Sequence, residues 1–277
     1  MRKDFASCIV TVLCVAVVLF FPSTRAAGQE NSDKHEPQGV NPAGGGVPAV
    51  SLKHLEAKTS GPTPRTADGK PDLSAVWGPG LNMGNIAVNL KPGDQLPLQP
   101  WALKLTQDRA TPEAKRKDPK PNCLPDGVPR EDPFPYKIVQ TPKLIVFLLE
   151  GNVHSYRQIF MDGSGHPTDD LEPSYYGDSR GHWEGDTLVV DTIGFNDKTW
   201  FDGTGHPHTE KLHVIERYRR PDLANLEFEV TIDDPGAYTK PFTIYGHSPL
   251  LLNTDLMEYW CVENAAQDLI HIVGDSK

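Results

Sequence analysis

His206-Pro207-His208-Thr209-Glu210 is the stretch whose residue types and spacing come nearest to a chemical site. Alternate positions on an extended chain point the same way, so both imidazoles and the Glu210 carboxylate can face one pocket. Two histidines and a carboxylate are a ligand set for zinc, iron or manganese with positions left open for a substrate. His213 is a further donor one strand step along. The same residues also fit a plain solvated loop. Just before them stand Asn196, Asp197, Trp200 and Asp202. Carboxylates beside an aromatic face bind a polar ring, such as a sugar or a phenol, and a partly buried Asp197 or Asp202 serves as a general base. The structural alternative is an Asx-type turn with Trp200 packed as a lid.

A second group lies on a predicted strand: His154, Tyr156, Arg157 and Gln158. Tyr156 and Gln158 share one face, and Arg157 takes the other. An arginine directed into a protein interior needs a carboxylate partner, and Glu150, Glu216 or Asp191 would serve. Glu216 shares a face with Leu212, Val214 and Tyr218. If that face is the inner one, Glu216 is buried, its pKa rises unless it is paired, and it becomes an acid–base candidate. The opposite register leaves it exposed. The chain has no Gly-rich phosphate loop, His-Glu-x-x-His helix or Gly-x-Ser-x-Gly elbow. Asp162–Asp170 has the flavour of a calcium loop but lacks the EF-hand spacing.

Strands must position these groups. From Tyr136 onward, short apolar or alternating runs recur between turn residues: Tyr136–Gln140, Leu144–Glu150, Val153–Asp162, Tyr175–Trp183, Thr187–Thr192, Lys211–Arg219, Leu226–Asp233, Lys240–Gly246, Asp255–Cys261 and Leu269–Val273. Asp72–Trp77 is an earlier strand. Leu226, Phe228, Val230 and Ile232 alternate with polar residues, which marks one buried face. No helix–strand rhythm is present. The expectation is an antiparallel meander closing into a barrel, with a β-sandwich as the alternative. Between Gly78 and Tyr136 the chain is Pro-rich, with a helix opened by Pro100 and a second short one capped by Thr111. A connection this long covers something or has a function of its own.

The first segment reads differently. Arg2 and Lys3 precede 14 nearly unbroken apolar residues, Cys8–Phe21, and small residues follow as far as Ala26-Ala27. That order is a secretory signal peptide, and the run is short for a membrane span. The expected organisation is a signal at 1–26, a flexible Gly/Pro-rich tether over 27–64 and one β-domain over 65–277. The net charge is −10, and removing a signal of net charge +2 leaves −12. That argues against nucleic acid and anionic lipid as partners. Two of the four cysteines leave with the signal. The remaining pair, Cys123 and Cys261, is expected to be bridged in an oxidising compartment.

The strand ending in Trp77 resembles the first strand of lipocalin-like (calycin) barrels, in which a tryptophan plugs one end. At wider scale, Pro71–Trp77, Gly181–Asp191, Thr192–Asp197 and Thr231–Asp234 resemble phrases of a family of secreted bacterial β-rich proteins. The likeness spans Arg65 to the C-terminus, implies an exported β-domain and supplies no activity.

The expectation for function is an exported barrel that takes a small organic molecule. If it is an enzyme, hydrolase, lyase or isomerase chemistry by Asp197, Asp202, His206, His208 and Glu216 is expected. Tyr156, Arg157, Asn196 and Trp200 are the expected ligand contacts. The alternative is a non-catalytic domain binding carbohydrate or protein.

Overall fold

The computed structural model describes residues 60–131, 134–151, 155–169 and 171–262. The expected signal peptide, most of the tether, His154 and the run at 269–273 lie outside them. Nine strands follow one another in space as in sequence: β1 Ala75–Trp77, β2 Tyr136–Gln140, β3 Leu144–Leu149, β4 Ser155–Phe160, β5 Asp178–Glu184, β6 Thr187–Ile193, β7 His213–Arg219, β8 Asn225–Asp233 and β9 Phe242–Pro249. The sheet rolls into a nearly closed barrel. Its ends are joined where Trp77 bridges to Leu250, where the Gly78 amide donates to Pro249 at 2.8 Å, and where the Leu251 amide donates to Val76 at 2.9 Å.

Every neighbouring pair is antiparallel except β4 and β5, which run parallel through Ile159↔Ser179 and Phe160↔Arg180. The long connection between them carries the chain back to the starting end of the barrel. This pairing is short, with two residue pairs. A surface cleft of ≈ 240 Å³ lies beside it, lined by Gln140, Met161, Gly181 and Trp183 among others. Among the described residues, the run Asp255–Cys261, expected as a strand, joins no strand of the sheet. The segment at Leu250 has already closed the wall against β1, which leaves no edge for a further strand.

Alternation sets the register. On β8, Leu226, Phe228, Val230 and Ile232 are buried and the residues between them are not. On β7, Val214, Glu216 and Tyr218 face inward with them. Trp77 is fully buried, donates from its indole nitrogen to Leu73, and carries the Arg220 guanidinium over its ring at 4.8 Å.

The long connection between β1 and β2 holds the two expected helices, α1 Pro100–Asp108 and α2 Pro112–Lys115. Pro100 starts the first, and the Thr111 hydroxyl caps the second by accepting from the Ala114 amide. Further along, residues 126–131 are buried without a break. They are held by a two-pronged Arg130–Asp118 pair at 2.6 Å and by Lys120–Asp126 at 3.2 Å. Gly127 permits the turn: its φ is +73°, and a Cβ would lie 2.9 Å from Thr199 Oγ1. The Cys123–Cys261 disulfide ties this strap to the segment after β9, with S–S 2.10 Å across 138 residues. Among the described residues, no helix is long and apolar enough to cross a membrane.

Candidate ligand-binding site

The Phe195–Glu210 connection is not an open rim. Asp202 is 0 % exposed, and its carboxylate organises the loop. It accepts from the amides of Ile86 (2.7 Å), Gly205 (2.8 Å) and His206 (3.2 Å) and from His206 Nδ1 (2.6 Å). Burial alone would push this carboxyl up, but the His206 ring and the surrounding amides outweigh it and hold Asp202 below the ordinary carboxylate value. His208 is buried too, and desolvation lowers its pKa. Its Nε2 lies 2.6 Å from the Thr199 hydroxyl, its Nδ1 3.4 Å from the Thr209 carbonyl, and the Phe201 ring stacks on it at 4.9 Å.

Those contacts separate the residues the sequence grouped. His206 and His208 bond different partners, and Glu210 is exposed. His213 bonds Asp191 on the outer face, and His166 meets the same carboxylate. Among the described residues, no group of three histidine, cysteine or carboxylate side chains is arranged to hold a metal ion. Asp197 is exposed. Asn196 is buried and accepts from the Lys198 amide at 3.1 Å, an Asx-type turn. Trp200 is covered by the Arg109 guanidinium at 4.3 Å, so its ring is not a free stacking platform. Tyr156 is 61 % exposed on the outer face of β4, away from the interior.

Arg157 and Glu216 do come together inside the barrel, at 2 % and 1 % exposure. Arg157 has five N–H donors, and the structure engages them all. Nε donates to Ser179 Oγ at 3.1 Å. One terminal nitrogen serves Glu131 Oε1 and Glu216 Oε1, each at 2.9 Å. The other serves Thr192 Oγ1 at 2.8 Å and Glu216 Oε2. The Tyr218 hydroxyl adds a donor to Glu216 Oε1 at 2.8 Å. Burial opposes the guanidinium charge, but the Glu216 and Glu131 carboxylates outweigh it and raise the Arg157 pKa.

Glu131 is the odd member. It comes from the strap, not the wall, and is 8 % exposed. Its Oε1 receives Arg157, while its buried Oε2 has no hydrogen-bond partner. Desolvation, which Arg157 only partly offsets, raises its carboxyl to about 7. Glu131 lines a cavity of ≈ 20 Å³ together with Glu216, Tyr136, Tyr218, Phe147 and Phe228. Leu81 and Pro129, from the same long connection as Glu131, line it too. Phe228 reaches its place because Gly246 gives it room: a Cβ there would stand 2.4 Å from the ring.

Of the three partners the sequence offered Arg157, Glu216 is the one it takes. Glu150 instead accepts from the Met257 amide at 2.8 Å. Glu131, Tyr136 and Ser179 are site residues that sequence reasoning missed. The signal for Glu131 was the length of the Pro-rich connection, which implied that it covers something.

No protein-family model, curated protein or solved structure matches the chain.

Proposed function

We propose that this protein is an exported small-molecule-binding β-barrel whose site is the interior Glu131–Arg157–Glu216 cluster and not the histidine loop. One observation carries the reading. A carboxylate oxygen of Glu131 is buried, unpartnered and attached to a group that lines a cavity. Buried polar atoms are almost always hydrogen-bonded, so an unsatisfied one in a folded protein calls for an occupant or a role. The aromatic lining with a few convergent polar groups is what a small-molecule site needs. The cavity has room for the polar tip of a ligand, and Leu81 and Pro129 line it from the long connection. A carboxyl raised to about 7 exchanges protons near neutral pH, which makes Glu131 the acid–base candidate at this site. The Cys123–Cys261 disulfide and the signal-like first segment support export.

The test is ligand-observed NMR with a library of small cationic, neutral and anionic fragments. Bound fragments are expected for the native protein and for Glu210→Ala, and their loss is expected in Leu81→Trp, which fills the cavity. Fragments that bind Leu81→Trp equally well would move the site elsewhere.

A further inference from the structure

Building on that interior site, we infer that the ligand end it recognises is a primary ammonium group. Among the described residues of the cluster the only cation is Arg157, and its five N–H groups are already engaged by Ser179, Thr192, Glu131 and Glu216. Two carboxylates face this single guanidinium, which leaves one negative charge unmatched when both are ionised. The neighbouring Lys120 is paired with Asp126 and does not line the cavity. The unpartnered Glu131 Oε2 accepts hydrogen bonds and donates none when ionised. An incoming group must therefore bring both a donor and a positive charge to complete the site.

The lining agrees. Tyr136, Phe147, Tyr218 and Phe228 line the cavity, and aromatic side chains accommodate a cation better than an anion. A carboxylate or phosphate would meet two carboxylates and find every Arg157 donor taken. A neutral hydroxyl would satisfy Oε2 but leave the charge unmatched. A space of ≈ 20 Å³ is enough to receive an ammonium tip.

Proton linkage follows from the groups around the cavity: Glu131 on the strap with Asp126 and Tyr176 near it, Tyr136 on β2, Arg157 on β4, and Glu216 and Tyr218 on β7. Ammonium binding holds Glu131 ionised, so a proton on Glu131 competes with the ligand. Affinity is expected to fall as pH drops below about 7, with proton release from Glu131 on binding.

The experiment is isothermal titration calorimetry of the whole chain, at about pH 8, with benzylamine, benzyl alcohol and benzoate. They share a ring and differ in the tip. Benzylamine is expected to bind at least about tenfold more tightly than benzyl alcohol, since a charged hydrogen bond is worth more than a neutral one. Benzoate is expected not to bind, and Glu131→Gln to lose about tenfold or more of the benzylamine affinity. Benzyl alcohol binding as tightly as benzylamine, with both lost in Leu81→Trp, would overturn the ammonium assignment and leave the interior site standing. Benzoate binding most tightly, again lost in Leu81→Trp, would do the same. No binding by any of the three, with a crystal structure showing only an ordered water on Glu131 Oε2, would remove both the assignment and the site. Should Glu131→Gln not fold, the three-ligand ranking on the native protein and the Leu81→Trp control decide by themselves.

Discussion

Asp202 and Glu131 are both buried carboxylates on irregular segments, yet Asp202 accepts four hydrogen bonds and Glu131 accepts one. Around Asp202 the backbone is bent so that three amides and an imidazole converge on the charge. Around Glu131 the donor supply runs out, because Arg157 gives most of its hydrogen bonds to Glu216, Thr192 and Ser179. The first arrangement holds a loop in one shape. The second leaves a charge and an acceptor that nothing in the cluster completes. Burial and residue type, which are alike in the two regions, therefore do not distinguish a structural carboxylate from a functional one. The donor count does.

The largest effect should come from removing the cation the interior depends on. Arg157→Met leaves Glu131 and Glu216 buried without their partner, and a loss of about 3–5 kcal/mol is expected in urea unfolding. Adding Glu131→Gln and Glu216→Gln to that variant should restore part of it. A loss that stays unchanged in the triple variant would mean that Arg157 matters for packing and not for charge.

Glu131→Gln separates the two carboxylates through the sign of its pH dependence. The folded-state carboxyl is raised, so its ionisation opposes folding. Relative stability is intact below the ordinary value of 4.5 and is lost as pH rises toward about 7. The glutamine variant escapes that loss. It should gain on the native protein progressively across this window, by up to about 3 kcal/mol at the top. Asp202 has the opposite sign. Its lowered carboxyl contributes stability above the ordinary value that is lost as pH falls through the folded one. Asp202→Asn sets an amide donor against amide and imidazole donors, and should cost about 2 kcal/mol at neutral pH and less in acid. Urea midpoints of both variants against pH check the pair. Parallel slopes would erase the distinction between the regions.

Much of the architecture was legible because it rests on period-two alternation. The run Leu226–Ile232 announced its inner face, and the Trp77 strand and the Pro100 and Thr111 helix starts carried their own local signals. The parallel β4–β5 step was not legible, because hairpin chemistry gives no warning of a long return crossing. The site divides the same way. Glu216 could be placed on the face of Val214 and Tyr218, and Arg157 on the face opposite Tyr156, so their meeting needed only the right register. Glu131 sits on a strap with no period at all, and its position depends on Gly127, on the Arg130–Asp118 pair and on a disulfide closing 138 residues. The histidine loop drew attention through composition. Composition does not reveal that Thr199 and Asp202 already hold both rings.

The smallest effects should fall on the residues that composition made most suggestive. Asp197 and Glu210 are exposed, and their substitution by alanine should change stability by no more than about 0.5 kcal/mol. The rings of His206 and His208 are oriented by separate partners, so assembling a metal site with Glu210 would require breaking the contacts to Asp202 and Thr199 and drawing an exposed side chain inward. Adding a chelator to the native protein should therefore leave its melting temperature unchanged, and adding zinc should not raise it. A rise with zinc that disappears in His206→Ala or His208→Ala would show that the loop can exchange its internal hydrogen bonds for a metal. It would also shift the functional reading from the barrel interior back to the Phe195–Glu210 connection.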